Sequence, residues 1–168
     1  MRNKKVKLLT QGAIIAALYT ALTYLQTFLL PGSASWPIQF RASEALCVLA
    51  FFTPAAIPGL TLGCLLFNLS FAGALPLDPI VGTLASLVAS ESMFLCRNIT
   101  VRGYPLLGML MPAITNSLLV GWELTLYFGQ GFLLNLSYVF IGEAAVLLTL
   151  GTVLYYAIKK RGIQRYFG

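Results

Sequence analysis

Apolar residues run almost unbroken from Leu8 to Ile158, in stretches that reach or exceed the roughly 20 residues a helix needs to cross a bilayer. Of the 168 residues, 58% are hydrophobic and 10% are charged, against about 25% charged in a soluble domain. No water-soluble core hides that much apolar surface, so lipid has to cover it. The chain is expected to be all-α: a single transmembrane domain over residues 1–168, built as a six-helix polytopic bundle.

Proline, glycine and the few polar clusters divide the apolar sequence. A first span is expected over 8–30, ended by Pro31-Gly32. Its basic start imitates a signal peptide, but the apolar run is long and carries no small-residue cleavage site, so it is kept as a span. The stretch after Arg41 is too long for one crossing at ~1.5 Å per residue. Pro54 and Pro58 break it, because each removes a backbone donor and clashes with the preceding turn. Spans 41–55 and 56–72 follow, the first short enough to be tilted or part of a re-entrant hairpin. Asp78-Pro79 reads as an N-cap followed by proline at the first helical position, opening a span over 79–95. Spans over 105–127 and 133–158 complete the set, separated by Gly129-Gln130-Gly131.

Charge orients the bundle. Eight of the eleven basic residues lie in the tails: Arg2, Lys4, Lys5, Lys7, Lys159, Lys160, Arg161 and Arg165. Arg97 and Arg102 lie in the loop between the fourth and fifth spans. The positive-inside rule puts all of them, and both termini, in the cytoplasm. The net charge of +6 therefore belongs to membrane topology and implies no nucleic acid. Asn68, Asn98 and Asn135 match glycosylation sequons by chance.

Several functions are excluded. Histidine is absent, which removes the commonest general base and metal ligand. One aspartate cannot form an aspartyl dyad. There is no P-loop, so the chain does not hydrolyse ATP by that route. Cys47, Cys64 and Cys96 read as reduced thiols. No metal-ligand spacing appears, and neither a cofactor nor a metal is expected.

The informative residues are the acids. All five (Glu44, Asp78, Glu91, Glu123 and Glu143) lie within or at the ends of apolar segments. A charge at the centre of a spanning helix costs roughly 2.5–3.5 kcal/mol on insertion scales, so it faces the bundle interior and needs a partner or water. Arg41, Glu44, Asp78 and Glu123 are expected toward the outer end, with Glu143 near the middle of its span. Asn68, Asn116 and Asn135 add polar groups at middle and outer levels. Asn116, Val120, Glu123 and Tyr127 share one helix face, and Asn135, Val139 and Glu143 share another. Glu91 reads as snorkelling or paired with Arg97. Arg41 and Glu44, at i and i+3, either neutralise each other at the interface or serve a site, and Asp78 is either a cap or a ligand.

Such a pocket suits a small, flat, donor-rich or cationic solute. One carboxylate accepts two parallel N–H bonds from an amidine-like edge and another holds an amine. Trp36, Trp122, Tyr127 and Tyr138 offer rings to stack on it; Trp36 and Trp122 also fit a membrane-interface belt. Gln39 lies in the polar connection beside Trp36. Ala13, Ala17 and Ala21 form a small-residue stripe on the first span, suited to close helix approach, either to a partner or within the chain.

Five segments in order, Ile38–Leu46, Phe51–Asn68, Asp78–Ser90, Gly121–Gly129 and Tyr138–Gly151, resemble the QueT family. These are the queuosine-precursor substrate-binding subunits (S components) of energy-coupling-factor (ECF) transporters. Pro79 departs from the small aliphatic residue expected after the aspartate. The resemblance implies an S component binding a 7-deazaguanine such as preQ1 or queuine from outside. It implies a transmembrane coupling subunit, docked on Ala13, Ala17 and Ala21, and two partner ATPases. Other readings are an S component for another cationic or purine-like vitamin, a stand-alone carrier, a small channel or assembly protein, and a carboxylate-dependent membrane enzyme.

Overall fold

The computed structural model describes residues 2–31, 40–71 and 74–166. Among them the architecture is a bundle of helices with no strand beyond the isolated bridge Val101–Tyr104. Six α-helices are present: α1 (Arg2–Leu29), α2 (Ala56–Ser70), α3 (Asp78–Leu95), α4 (Leu106–Phe128), α5 (Phe132–Val146) and α6 (Thr152–Lys160). Three helical stretches are long and apolar enough to cross a membrane: Asn3–Leu29, Asp78–Asn98 and Phe132–Lys160. With 23 residues α4 is as long, but Asn116, Ser117 and Glu123 dilute its apolarity. The chain is a helical membrane bundle.

Between α1 and α2 lies a ten-residue 3-10 helix, Ala42–Phe51, where an α-helical span is expected from the sequence. Tighter winding gives ~2.0 Å per residue instead of ~1.5 Å. The segment therefore reaches about 20 Å, some 5 Å more than ten α-helical residues would. Ser43, Glu44, Ala45, Cys47, Val48, Leu49 and Ala50 are buried, and the segment contacts α1 to α6 in turn. It is the centre of the bundle. Around it consecutive helices pack pairwise, α1 on α2, α2 on α3, α3 on α4 and α4 on α5.

α1 and α2 approach closely because small residues line their contact. A Cβ added at Gly59 would fall 2.8 Å from the Gly12 carbonyl oxygen. One at Gly63 would fall 2.8 Å from the Tyr19 Cβ and 2.9 Å from the Ala16 oxygen. Gly59 and Gly63 form a GxxxG pair facing Gly12 and Ala16, the arrangement that lets membrane helices bring their backbones together. The Thr20 hydroxyl crosses the gap to the Gly63 carbonyl at 3.0 Å. Ala13, Ala17 and Ala21 are all exposed, so packing within the described chain uses a different stripe of α1.

The last helical run bends out of register. A π turn, Leu147–Gly151, joins α5 to α6. Gly151 lets it close on the 3-10 helix and α4: a Cβ there would lie 3.2 Å from Val48 Cγ2 and 3.4 Å from Met109 Sδ. The extra residue rotates everything after it relative to Glu143. At the other end of the run Gly129, in the left-handed conformation at φ 65°, stops α4.

Contacts place the charges at opposite poles. Gln11, Ile14 and Leu18 of α1 share a groove with Leu154 and Ile158 of α6, and Tyr104 stacks on Tyr156. The start of α1, the Arg97/Arg102 loop and the end of α6 therefore gather at one pole. Asp78 at the start of α3 and Glu123 near the end of α4 lie toward the other.

Gly63→Val is expected to destabilise the bundle by about 1–3 kcal/mol through overpacking, while Ala13→Val leaves it unchanged. Thermal unfolding of both variants in detergent measures the difference.

Candidate functional site

The 3-10 helix brings Arg41 and Glu44 into the bundle, and α1 holds them there. Tyr19, Thr23 and Gln26 stand at i, i+4 and i+7 on one face of α1. The Tyr19 hydroxyl donates to Glu44 Oε1, and Thr23 donates to Ser43 Oγ at 2.7 Å. The Gln26 amide donates to the Phe40 carbonyl and accepts from the Ala42 N–H at 2.6 Å. Cys47 Sγ donates to Glu44 Oε2 at 3.3 Å. Glu44 is 1% exposed, so its i, i+3 pairing with Arg41, Nη1 to Oε1 at 3.9 Å, lies inside the bundle. The Arg41 guanidinium also sits 6.0 Å from the Phe67 ring centroid.

A second group forms between α4 and α5. Asn116 Nδ2 donates to Glu143 Oε1 at 3.1 Å. Glu143 Oε2 and Asn116 Oδ1 are buried with no partner. Glu143 lies within electrostatic reach of both Glu44 and Arg41.

A third group joins the ends of α2, α3 and α4. Asn68 Nδ2 donates to the Asp78 carbonyl at 2.9 Å, leaving Asn68 Oδ1 without a partner. The Asp78 carboxylate accepts the Leu75 N–H at 2.6 Å. It pins the preceding loop and does not cap the helix; the N-cap is Leu77, with no side-chain capping bond. The cap expected from Asp78-Pro79 therefore falls one residue earlier, because Asp78 already has helical backbone. Asp78 lies against Glu123, within hydrogen-bonding range. Neither carboxylate carries a donor when ionised, so both Glu123 oxygens are left without a partner. Glu123 has no exposed surface, although it lies only five residues before the end of α4. Arg41 is within electrostatic reach of Glu123 as well as Glu143, so it links all three groups.

The remaining candidates are distributed differently. Asn135 is buried, but it donates to Thr125 Oγ1 at 3.1 Å and ties α5 to α4. Trp122 and Tyr127 are 50% and 39% exposed. Trp122 turns outward because its neighbour Glu123 turns inward, a rotation of about 100° on the helix. Tyr127 shares the Glu123 face but lies where the bundle ends. Tyr138 is half-buried. Trp36 and Gln39 lie outside the described residues. Glu91 is exposed, and Arg97 packs 3.9 Å from the centroid of the Phe94 ring. A groove of about 700 Å³ between Gln26–Pro31, Phe40, Ala42 and Ala145–Leu150 includes none of the acids. Its apolar lining does not suit a polar guest.

Sequence reasoning missed Tyr19, Thr23, Gln26 and Cys47. Their signal is the regular spacing of three hydrogen-bonding side chains on an otherwise apolar helix, legible only as a face of α1.

The fold and this cluster define a polytopic helical membrane protein with a buried, acceptor-rich interior. A family model described as the QueT transporter matches residues 9–160, and the chain belongs to that family. Over 92 residues it is 41% identical to the Queuosine precursor transporter QueT of Lactococcus lactis subsp. cremoris (strain MG1363), covering 52% of this chain and 50% of that protein. The match thus spans about half the length of that curated relative. No solved structure matches the chain significantly.

Tyr19→Phe removes a donor from a buried carboxylate and is expected to cost about 1–3 kcal/mol. A fall in unfolding temperature in detergent, with Tyr24→Phe as a more exposed control, checks it.

Proposed function

We propose that the protein is the substrate-binding subunit of an ECF-type importer, one transmembrane domain of six spans in a bacterial plasma membrane. Both termini face the cytoplasm, and a queuosine precursor, a 7-deazaguanine such as preQ1 or queuine, enters from outside. Family membership supports the transport role. The observation that carries the site assignment is the set of unpartnered buried acceptors: Glu143 Oε2, Asn116 Oδ1, Asn68 Oδ1 and both oxygens of Glu123. Buried polar groups in a finished fold are nearly always paired. Five orphan acceptors around one guanidinium call for a guest rich in N–H donors. A deazaguanine supplies donors of that kind from its ring N–H and its amines, and its carbonyl meets the orphan guanidinium N–H at Arg41 Nε.

The energy comes from partners, a transmembrane coupling subunit and two ATPases, a reading that fits a chain without a P-loop. The docking surface is the exposed face of α1 that carries Ala13, Ala17 and Ala21. The basic pole lies in the cytoplasm, so the Asp78–Glu123 pole opens outward.

Purified protein is expected to bind 7-deazaguanines in isothermal titration, and Glu143→Gln to weaken that binding by about tenfold or more, the loss of a charge-assisted hydrogen bond. Unchanged affinity in this variant sinks the site assignment. Ala17→Leu is expected to abolish co-purification with the coupling subunit and ATPases while sparing solute binding. Recovery of an intact complex counts against docking on α1.

A further inference from the structure

We infer that Glu123, Asp78 and Asn68 form an ammonium subsite, separate from the Glu143–Asn116 pair that takes the planar ring edge. The inference rests on the functional reading above and deepens it: the preferred guest carries a primary amine on its exocyclic arm.

The three residues come from three helices. Asn68 lies near the end of α2, Asp78 begins α3 and Glu123 lies five residues before the end of α4. Their free atoms are all acceptors: Asn68 Oδ1 and both Glu123 oxygens lack any partner, while Asp78 uses Oδ2 on the Leu75 N–H. An ammonium group has three N–H donors and no acceptor, which matches an acceptor-only set drawn from three side chains. A planar edge matches it less well, because Asn68 already spends its amide on the Asp78 carbonyl and neither Asp78 nor Glu123, when ionised, has a donor for a ring carbonyl.

The Glu143–Asn116 pair differs. Its two members are already joined by a hydrogen bond, which holds Glu143 Oε2 and Asn116 Oδ1 as neighbouring acceptors. Arg41, within reach of Glu143, provides a donor at Nε. Acceptors beside a donor are the complement of a guanine-like edge.

Depth orders the two. At ~1.5 Å per residue Glu123 lies roughly 8 Å from the end of α4 and Glu143 roughly 16 Å from the start of α5. Those helix ends adjoin through Gly129–Gly131. The two subsites are therefore about 9 Å apart along the bundle. The ring enters first and the amine stays nearer the mouth. Arg41 lies 3.9 Å from Glu44 and is shared with Glu123 and Glu143, so one guanidinium faces several acids and the Asp78–Glu123 pair has charge left for a further cation.

Isothermal titration of the full chain in nanodiscs tests this with 7-aminomethyl-7-deazaguanine and its 7-cyano and 7-methyl analogues. The wild-type protein is expected to prefer the aminomethyl compound by about 10- to 100-fold. Glu123→Gln is expected to erase that preference while leaving the cyano analogue within about threefold of its wild-type affinity. Equal wild-type binding of all three compounds overturns the subsite and leaves the transport reading intact. Equal losses for all three in Glu123→Gln overturn it too. Failure of every compound to bind the wild-type chain overturns the functional reading, and the subsite with it. The wild-type comparison requires no variant to fold.

Discussion

A carboxylate removed from water must be given hydrogen bonds and countercharge, or it opposes folding by several kcal/mol. Three carboxylates in this bundle, those of Glu44, Glu123 and Glu143, live under that condition, with Arg41 among them and the half-buried Asp78 beside Glu123. Glu44 is the satisfied member: Tyr19, Cys47 and Arg41 all turn toward it. Glu123 is its opposite, with no donor on either oxygen. The protein thus supports one acid with its own side chains and leaves others open, and this inequality is the basis of the solute site proposed above.

The fold serves this chemistry by placing a tight helix where no ordinary span would fit. Ala42–Phe51 passes through the middle of the bundle and touches every α-helix. It carries Arg41 and Glu44 at the end where the acids gather. The ladder from Tyr19, Thr23 and Gln26 fastens it to α1. The same helix presents Ala13, Ala17 and Ala21 on its outer face. One helix thickness therefore separates the acid cluster from the surface proposed for partner docking, so that a shift of α1 on docking would be felt directly by Glu44 and Arg41.

Small residues explain how so thin a protein holds together. Lipid gives little hydrophobic incentive for apolar helices to associate, so close backbone approach and dispersion carry the contact. Gly59 and Gly63 provide that for α2 against Gly12 and Ala16 of α1. Gly151 does the same for the π turn against Val48 and Met109. The alanine stripe noticed in the sequence is a different surface, and only the orientation of α1 separates the two.

Much was legible before any coordinates. Apolar run length forces a membrane bundle, Gly129 marks where α4 stops, Pro54 falls in the break before α2 while Pro58 and Pro112 lie inside helices, and the rarity of acids in oil makes each of them conspicuous. Those are properties of single residues and their immediate neighbours, which is why a linear reading reaches them. The partners of the acids were not legible. That Asn116 binds Glu143, that Asp78 meets Glu123 while pinning Leu75, and that Trp122 turns outward all depend on helix rotation and depth. Many nearly equivalent apolar faces compete for those settings, and packing of small residues selects among them. Sequence alone determined that charged groups would be held inside a membrane protein. Tertiary structure decided which of them are paired and which stay open, because pairing is a matter of distances between helices that the chain order does not contain.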